Sequence, residues 1–491
     1  MLTYKAYGSE YLDSDDSQLW QMTGHEIDSL IAMVNRCVTE VYGYTPLATT
    51  WHQESTVTTE WLSIMPPQFA FLRRKSSDYG NLGFSELATL GLLNFKAPNR
   101  QTGFNLMAKQ YKAAIVGCGS IGQAHMQGYL RLDNVDVVAV ADPLEPARQM
   151  YMDNYGISQG YATVAEMLEK AQPDLVSVCV WHLLHDTVSA EVATGPSVKG
   201  IMCEKPMAIG MRRADTMIEV CEANRVKLVI SHQRRFTPGW QKAKELVADG
   251  KIGIPLRADL RVREGLVNWG THSIDGARFI LGDPVAEWVM GAIERTTDKY
   301  ERGTAIEDSC LGLIHFGGSL QFFIQSDLWD RNCDAGKFFI RGTEGMIHVR
   351  ETVLKLFNAE SNGWMDIDLD LKGGDQAIGG NTNAAQTREL IEWIEGGPES
   401  RGSGRKARDT VEVMMAIYES ARRHQVIKLP MEEKEYPLDL MIAEGKLPLE
   451  VQGRYDIRGF LDRSNIDESR YRQLRDNGVQ HHQAMRTIHE E

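Results

Sequence analysis

The 491-residue sequence predicts an α/β protein in which a domain built on a parallel β-sheet precedes a second α/β domain with a large, mainly antiparallel sheet. Three observations lead to this fold class. Short apolar runs alternate with helical stretches from about residue 111 to residue 231, a pattern typical of βαβ units. The first of these runs ends in a glycine-rich turn. After about residue 255, strands of alternating polarity are separated by short glycine turns, which indicates antiparallel hairpins.

The predicted elements follow in order. In the first domain we expect strands at about 113–116, 135–140, 175–180, 200–203 and 228–231, with helices at about 121–131, 144–155, 163–171, 185–194 and 211–224. In the second, Gly317 and Gly318 separate two apolar strands at 311–316 and 320–328, and a further strand lies at 346–349. Helices are expected near 382–395 and 409–423.

Changes in pattern divide the chain into four segments, 1–106, 107–231, 232–430 and 431–491. The first segment has no catalytic motif and one amphipathic helix, from about Gly24 to Val41, so we expect a weakly ordered N-terminal extension. Because Met107 shortly precedes the first strand, an upstream reading-frame extension that is absent from the native product is an alternative. The last segment is a tail with one helix near 467–477, and its apolar stretches predict packing over the core or a partner subunit.

The composition is that of a globular protein, with 43% hydrophobic and 24% charged residues. The formal net charge of −14 argues against a nucleic-acid partner, because an acidic surface repels phosphate backbones. No apolar run approaches the roughly 20 residues that span a bilayer, and the first residues do not resemble a signal peptide. We therefore expect a cytoplasmic protein with no membrane partner.

The cysteines are odd in number, widely spaced and without a C-x-x-C pair. This pattern favours a reducing compartment and buried thiols over a disulfide framework or a zinc site. The seven are Cys37, Cys118, Cys179, Cys203, Cys221, Cys310 and Cys333.

The turn after the first strand has the spacing G-x-G-x-x-G, from Gly117 to Gly122. Gly117 permits the tight turn, Gly119 lets a pyrophosphate approach the backbone, and Gly122 lets the helix pack closely on the strand. The first helical residues, Ser120 and Ile121, then offer free N–H donors to the phosphates. Alone the motif is weak, but the strand before it and the helix after it predict a Rossmann dinucleotide-binding domain.

Asp142 lies 20 residues after Gly122, at the end of the next strand, and is predicted to accept hydrogen bonds from the adenosine ribose hydroxyls. A carboxylate there repels a 2′-phosphate, and no arginine is adjacent in sequence, so NAD is favoured over NADP as the cofactor. The alternative is a glycine turn followed by a helix-capping aspartate.

The segment Glu204-Lys205-Pro206 follows the strand at 200–203, at the carboxyl edge of the sheet, where doubly wound folds bind ligands. Pro206 prevents the strand from continuing, so Lys205 is expected at the crevice. A partly desolvated lysine has a lowered pKa and can act as an acid or base. The spacing alone favours a plain salt bridge at the strand end.

These motifs, together with others in the same order, resemble the glucose–fructose oxidoreductase / inositol dehydrogenase / rhizopine-catabolism (Gfo/Idh/MocA) family over about residues 109–430. The resemblance implies NAD(P)-dependent oxidation of a secondary hydroxyl on a sugar, glycoside or cyclitol. It also implies that the second domain's sheet is open and joins subunits into a homo-oligomer, a dimer or a tetramer. The further motifs are His232–Phe236, Gly253–Pro255, His272–Asp275, Gly342–Gly345 and Tyr418–Ala421.

Carried over to this sequence, the resemblance makes Lys205 the principal acid/base, which exchanges a proton with the reacting hydroxyl. Glu204 and Lys205 are expected at the cofactor, with Glu204 at the nicotinamide-side ribose. His272 is expected to be a second acid/base or to orient the substrate. The chemistry agrees, because a hydroxyl whose carbon loses a hydride also needs a group to take its proton.

Two residue changes depart from the family's pattern. Where the family usually has an aspartate four residues before the histidine, this chain has Asn268, which can orient a substrate hydroxyl but cannot ionise. Lys205 is then the main base; alternatively, Asn268 only caps a helix. The family's Pro-Asn pair is replaced by Trp181-His182, so we expect His182, and His185 one turn later, near the nicotinamide or its ribose. The alternative is an ordinary strand-end polar group, and because no third ligand is present we expect no metal.

The third departure is a shortened loop. The family usually has a long glycine-rich loop before the histidine helix, whereas here the strand at 256–262 runs through residues 263–267 directly into Asn268. We expect either a more open pocket, which suits a larger glycoside, or a pocket walled by the N-terminal extension, the tail or a neighbouring subunit. Arg235 is expected to bind substrate hydroxyls or a carboxylate, with an ion-paired or solvated Arg235 as the alternative.

Two other functions remain open for the sequence. One is a glycosidase-like or eliminating enzyme in which NAD is reduced and reoxidised within each turnover, so that no net NADH forms. The other is a non-catalytic NAD-binding sensor, against which the presence of Lys205 and His272 argues.

Overall fold

The computed structural model describes residues 109–328, 338–371 and 378–491. The helix predicted at 24–41, the rest of the 1–106 extension, Cys37 and Cys333 lie outside the described residues. The five cysteines inside these ranges are buried free thiols. None of the helices in the same ranges is long and apolar enough to cross a membrane.

The first domain is a six-stranded, fully parallel sheet with the strand order β3-β2-β1-β4-β5-β6. The strands are β1 (Tyr111–Val116), β2 (Val135–Ala141), β3 (Gln159–Tyr161), β4 (Leu175–Val178), β5 (Gly200–Cys203) and β6 (Lys227–Ile230). The helices between them are α1 (Ser120–Tyr129), α2 (Glu145–Tyr155), α3 (Val164–Ala171), α4 (His185–Ala193) and α5 (Met211–Ala223). The predicted Rossmann domain is confirmed, and the short strand β3 is the element that the sequence did not suggest.

The strand order of this sheet creates the crevice. Every residue of β4 and β5 is buried, as expected for apolar runs in a parallel sheet covered by helices on both faces. The chain winds outward from β1 in one direction to β3 and in the other through β4 to β6. Loops leaving the carboxyl ends of β1 and β4 therefore diverge, and a ligand crevice opens between them.

The rest of the chain adds twelve strands, most of them short. They are β7 (Pro255–Val262), β8 (Trp288–Glu294), β9 (Thr297–Glu301), β10 (Thr304–Ala305), β11 (Ser309–His315), β12 (Gln321–Ser326), β13 (Phe338–Gly342), β14 (Gly345–Val349), β15 (Leu354–Asn358), β16 (Met365–Asp366), β17 (Ile427–Lys428) and β18 (Val451–Asp456). The helices are α6 (Pro238–Ala248), α7 (Thr271–Ile280), α8 (Gly380–Ile394), α9 (Gly404–Arg423), α10 (Pro437–Ala443), α11 (Glu468–Asp476) and α12 (His481–Glu490).

Nine of these strands form one sheet, in the order β16-β15-β14-β13-β7-β12-β11-β8-β17, in which only the β7–β12 pair is parallel. One face is buried: Phe322 and Ile324 of β12 are fully covered. The opposite face is open, and on it Met290 and Phe357 are 49% and 39% exposed. The mainly antiparallel open sheet predicted for the second domain is thus confirmed.

The C-terminal segment packs on its own chain. Strand β18 joins β9 and β10 in a separate three-stranded sheet, with β18 and β9 parallel. Tyr471 of α11 and Met485 of α12 are fully buried, in the same apolar cluster as Tyr151 of the first domain. Arg475 Nη2 donates to Gln123 Oε1 of α1 at 3.3 Å. Of the two positions predicted for the tail, the structure has the one over the core.

Candidate active site

The glycine-rich turn has the geometry that a dinucleotide requires. Gly117 has φ +97°, and a Cβ there would lie 2.5 Å from the Cys179 carbonyl oxygen, so only glycine fits between β1 and β4. A Cβ on Gly122 would lie 2.6 Å from both the Gly117 carbonyl oxygen and the Tyr151 hydroxyl. Above Gly119, by contrast, nothing lies within 4 Å of a Cβ position. The first and third glycines therefore close the turn, and the second leaves space for a ligand.

The N-terminus of α1 faces this space without a side-chain cap. Its first N–H groups, at Ser120 and Ile121, therefore remain available to an anion, and the helix dipole favours one. The Tyr151 hydroxyl donates to the Gly119 carbonyl at 2.5 Å and fixes the turn from below. The cradle fits the pyrophosphate of NAD, and the predicted roles of the three glycines agree with this geometry.

Asp142 lies at the end of β2, beside the turn. Its Oδ2 accepts from the Cys118 N–H at 2.8 Å, and its Oδ1 accepts from the Leu144 N–H at 2.8 Å. Both oxygens keep a further lone pair for a ribose hydroxyl, since a carboxylate accepts about four hydrogen bonds. Folding also brings Arg148 to this strand end, where its Nη1 donates to the carbonyls of Asp142 and Pro143 at 2.6 and 3.0 Å. The sequence neighbours of Asp142 gave no sign of this arginine.

Glu204 is directed into the sheet, toward a histidine that the sequence analysis missed. His125 Nε2 lies 3.0 Å from Glu204 Oε1, and His125 Nδ1 lies 2.9 Å from Ser177 Oγ. The Lys205 N–H donates to Glu204 Oε2 at 3.2 Å. Burial alone raises the pKa of Glu204, but the His125 hydrogen bond and the Lys205 charge hold it below its usual range. Glu204 is thus an ionised group under the crevice, and its expected ribose contact stays a prediction.

The spacing of His125 in α1 carried a signal that went unused. It lies on the buried face of the helix with Gly122, Met126 and Tyr129. A histidine on a buried face needs hydrogen-bond partners, and a carboxylate at a neighbouring strand end is a natural one.

Lys205 lies at the carboxyl end of β5, half-buried, and reaches across to the second domain. Its Nζ donates to the Asn268 carbonyl at 3.3 Å and to Asn268 Oδ1 at 3.5 Å. Burial, followed by the positive charge of Arg302, lowers the pKa of Lys205 to about 8, although Glu204 and Glu301 act in the opposite direction. A lysine with such a pKa is substantially neutral in mildly alkaline solution and can accept a proton.

Asn268 is 5% exposed and holds an unused donor. Among the described residues its Nδ2 has no hydrogen-bond partner, whereas its Oδ1 faces Lys205. An unpaired buried amide donor is costly, which points to a ligand acceptor at this position. Asn268 belongs to a π-helical turn, Leu266–Gly270, that leads into α7. Such turns are frequent at functional sites.

His272 follows in the first turn of α7 and is half-buried beside Trp269, with ring centroids 6.0 Å apart. Within the described ranges no side chain or carbonyl is hydrogen-bonded to its ring nitrogens. Burial, with the positive charges of Arg234 and Lys205, holds the pKa of His272 well below its usual range. The structure thus brings Lys205, Asn268 and His272 together, and it presents His272 as a neutral ring.

The two histidines expected at the cofactor are both engaged elsewhere. His185 Nδ1 lies 2.8 Å from the Pro206 carbonyl oxygen, and its Nε2 lies 3.2 Å from the Val180 carbonyl oxygen, so the ring pins two strand-end loops together. His182 is 3% exposed, with Nε2 2.6 Å from Thr304 Oγ1 and Nδ1 3.5 Å from Glu301 Oε2. The prediction that His182 and His185 contact the cofactor is not supported by these positions, because each ring nitrogen faces a protein oxygen.

Arg235 is likewise not at the crevice, and its expected role in substrate binding is corrected here. It is fully buried, and its N–H donors are taken by Asp275, Asp283 and the Arg401 carbonyl, at 2.7–3.0 Å. The ion-paired alternative is therefore the structure's. Its neighbour Arg234 lies toward the site: its Nε donates to Glu351 at 2.5 Å and its guanidinium lies 5.2 Å from the Trp269 ring.

A turn that the sequence analysis missed lies over the same crevice. It joins β9 to β10 and carries Glu301 and Arg302, which form an ion pair. Burial raises the pKa of Glu301, while Arg302 and Lys205 lower it, with a net rise. Thr304 of the same hairpin contacts His182 as described above, so the hairpin bridges the second sheet and the Rossmann domain.

The shortened loop before Asn268 is walled by the tail. Its residues Glu264 and Gly265 donate their N–H groups to Asp327 at 2.9 and 3.1 Å. Arg458, directly after β18, donates to Glu264 Oε2 at 2.6 Å. Of the alternatives stated for this side of the pocket, a wall formed by the C-terminal tail is the one that the structure has.

Fold and site together define a two-domain, dinucleotide-binding oxidoreductase. Residues 111–232 match the family described as "Oxidoreductase family, NAD-binding Rossmann fold" (GFO_IDH_MocA). The chain belongs to this Gfo/Idh/MocA family, as its motifs implied, and NAD is the cofactor of the family.

Relatives and solved structures agree with this assignment. The chain is 24% identical over 371 residues to a D-apiose dehydrogenase of Paraburkholderia graminis, across 69% of this chain and 94% of that protein. It is 28% identical over 190 residues to a myo-inositol 2-dehydrogenase of Thermotoga maritima, across 36% of this chain and 56% of that protein. An Agrobacterium radiobacter oxidoreductase solved with NAD+, L-tartaric acid and magnesium has a TM-score of 0.57 at 20% identity, over 65% of this chain and 98% of that one. The last likeness shows the fold alone.

Proposed function

We propose that this protein oxidises a secondary hydroxyl of a sugar, glycoside or cyclitol with NAD, with Lys205 as the principal acid/base and His272 assisting. One observation carries the proposal. A lysine with a pKa lowered to about 8 lies beside an asparagine whose buried amide donor has no partner in the described part of the chain. These two groups are what a hydroxyl needs, one to take its proton and one to hold its oxygen.

The chain's residues divide the work as follows. NAD, when bound at the glycine-rich turn, supplies the hydride acceptor. Lys205 Nζ, in its neutral form, removes the hydroxyl proton, and Asn268 Oδ1 keeps Nζ directed into the crevice. Asn268 Nδ2 donates to a substrate oxygen and thereby orients the reacting carbon.

His272 assists as a neutral hydrogen-bonding group in this proposal. Its lowered pKa means that the ring carries no proton to give away near neutral pH. It can accept a hydrogen bond on one nitrogen and donate from the other. The role of a second proton store, which the resemblance also allowed, is therefore less suited to this ring than that of a substrate-orienting group.

The ionised Glu204 and the positive groups around Lys205 balance each other. The His125–Glu204 pair keeps a negative charge beneath the lysine, whereas Arg302 and Arg234 lie on the other sides. Without Glu204, the desolvated lysine would be neutral at lower pH, and its protonated form after the reaction would be less stable. Glu204 thus supports reversible proton exchange.

The proposal includes a homo-oligomer, a dimer or tetramer, formed through the open face of the nine-stranded sheet. Half-exposed apolar side chains such as Met290, Phe323 and Phe357 support it, since a soluble monomer rarely leaves an apolar sheet face uncovered. Light scattering after size-exclusion chromatography tests it: a Met290→Lys, Phe357→Lys double variant is expected to shift the mass to that of a single chain, and a parent that is already monomeric contradicts it.

The experiment for the reaction incubates the protein with NAD and a panel of sugars, glycosides and inositols while NADH and products are both followed. We expect NADH and a ketone product in equal amounts, and none with Lys205→Ala. Product without net NADH supports internal recycling of NAD, as in the glycosidase-like alternative. NAD binding without turnover on any panel member supports the sensor alternative. Turnover by Lys205→Ala at the parental rate contradicts the proposed mechanism.

A further inference from the structure

The turn between β9 and β10 has an unusual residue for its conformation. It is a hairpin turn in which Glu301 pairs with Thr304, and its two central residues, Arg302 and Gly303, have φ +46° and +82°. Two-residue turns with positive φ at both positions strongly prefer Asn-Gly, because a long side chain is strained in the left-handed region. An arginine there suggests that its side chain is kept for another reason.

The C-terminal segment holds this turn in place. Asp456, the last residue of β18, accepts the Arg302 N–H at 3.0 Å on Oδ1 and the Gly303 N–H at 2.7 Å on Oδ2. The same Oδ1 accepts the Arg458 N–H at 2.8 Å. A carboxylate with three backbone donors fixes the left-handed arginine to the tail.

The turn also docks on the Rossmann domain beside the catalytic crevice. Thr304 Oγ1 lies 2.6 Å from His182 Nε2, and a Cβ on Gly303 would lie 3.1 Å from the Leu183 side chain. His182 follows β4 and Lys205 follows β5, and these strands are hydrogen-bonded neighbours. The Glu301–Arg302 ion pair therefore lies next to the end of β5.

Charged or titratable groups face Lys205 from every element around it. Arg302 is the strongest of the charges that lower its pKa, and Arg234 acts in the same direction. The groups are Glu204 from β5, His182 from the turn after β4, His232 and Arg234 from the segment after β6, His272 from α7, and Glu301 and Arg302 from the hairpin.

We propose that Arg302 is a positioning residue of the reaction, held beside Lys205 by Asp456, so that the C-terminal segment is a functional part of the active site. This inference rests on the proposed function. Arg302 acts through Lys205: its guanidinium disfavours the protonated lysine and, by pairing with Glu301, keeps that carboxylate from stabilising it. A chain without the tail would lose this arrangement while keeping every family motif.

The test compares Arg302→Asn with Arg302→Lys. Because Asn-Gly suits the turn better than Arg-Gly, Arg302→Asn is expected to have a Tm equal to or above that of the parent. Its rate is nevertheless expected to fall, because removal of a neighbouring positive charge raises the pKa of Lys205 by roughly one unit, which lowers kcat/KM about tenfold at neutral pH. Arg302→Lys is expected to retain most of the parental pH profile.

The matched control is Arg225→Asn. Arg225 also has a positive φ, +58°, after α5 and is exposed, so the substitution relieves the same kind of strain away from the crevice. Its pH profile is expected to be that of the parent.

Two further measurements keep the inference separate from the proposed function. Competitive acetylation of Lys205 at a series of pH values, read by mass spectrometry, gives its pKa without any turnover. Asp456→Ala, which releases the turn, is expected to raise that pKa as Arg302→Asn does. An unchanged Lys205 pKa in folded Arg302→Asn overturns the inference even if the enzyme is active. A raised pKa supports it even if no alcohol of the panel is oxidised, an outcome that would instead contradict the proposed function.

Discussion

Replacing Lys205 by methionine tests whether the crevice stores free energy in a desolvated base. Methionine keeps most of the aliphatic length but has no charge. The native environment lowers the lysine's pKa from 10.5 to about 8, chiefly by burial. The unfolded chain therefore binds a proton more tightly than the native one between these pH values, and Lys205 destabilises the protonated native state.

The magnitude follows from the two pKa values. Below pH 8 the cost of Lys205 is at most about 3 kcal/mol, and near pH 9.5 it falls to about 1 kcal/mol, because the lysine is then neutral in the native state and partly neutral in the unfolded one. The lost hydrogen bonds to Asn268 are long and offset about 1 kcal/mol of the gain. Lys205→Met is thus expected to be about 1–2 kcal/mol more stable than the parent at pH 7.

The assay is urea or thermal unfolding of parent and variant at pH 7.0 and at pH 9.5, beside their NADH production. The variant is expected to unfold a few degrees higher at pH 7.0, to lose this advantage at pH 9.5, and to lose at least roughly 100-fold in kcat. Equal stability at pH 7.0, or a gain that is the same at both pH values, would refute the assignment of Lys205 as a base of lowered pKa.

Three other substitutions give separable results. Gly119→Ala is expected to fold normally but to bind NADH at least about tenfold more weakly by fluorescence titration, because a methyl group occupies open ligand space, whereas Gly122→Ala, which meets atoms at 2.6 Å, is expected to lose about 1–3 kcal/mol in denaturant unfolding. Asn268→Asp adds a carboxylate beside Lys205 and is expected to shift the rising limb of the pH–rate profile upward by about one unit or more; an unshifted limb would separate Asn268 from Lys205. Arg235→Met strands two buried carboxylates and is expected to cost about 3–5 kcal/mol in the same unfolding measurement while KM of the folded fraction stays at the parental value, and a raised KM at unchanged stability would restore Arg235 as a substrate ligand.

The Rossmann domain was predictable because its information is local. Each βαβ unit is a run of consecutive residues, and the glycine turn is fixed by three backbone positions whose steric reasons can be read from spacing. Lys205 was predictable for a similar reason, since Pro206 ends β5 at the edge where ligands bind. The hairpin of β11 and β12 followed from Gly317 and Gly318 between two alternating strands.

The small sheet of β9, β10 and β18 was not predictable in this way. β9 has the polar sequence Thr297–Glu301, and nearly every residue of β18 is exposed, so neither shows a buried alternating face. Their pairing joins segments about 150 residues apart and depends on Asp456 meeting Arg302. No local pattern encodes such a contact, and the wall of the active site was missed with it.

Neighbouring polar residues were also hard to assign. Arg234 and Arg235 are adjacent, and which of them faces the crevice is decided by Asp275 and Asp283, which lie 40 and 48 residues further along the chain. His185 resembles a cofactor ligand in sequence, but its partners are two backbone carbonyls that only the folded chain brings to it.

The most direct test of the central claim is the pH dependence of kcat/KM for the best alcohol of the panel, in the parent and in Lys205→Ala. The account predicts that the parent's kcat/KM rises with an apparent pKa near 8 and then levels off, as Lys205 loses its proton. Lys205→Ala is predicted to be slower at every pH and to lack this inflection. A parent profile without an inflection near pH 8, or an alanine variant that keeps it, would contradict the assignment of Lys205 as the base.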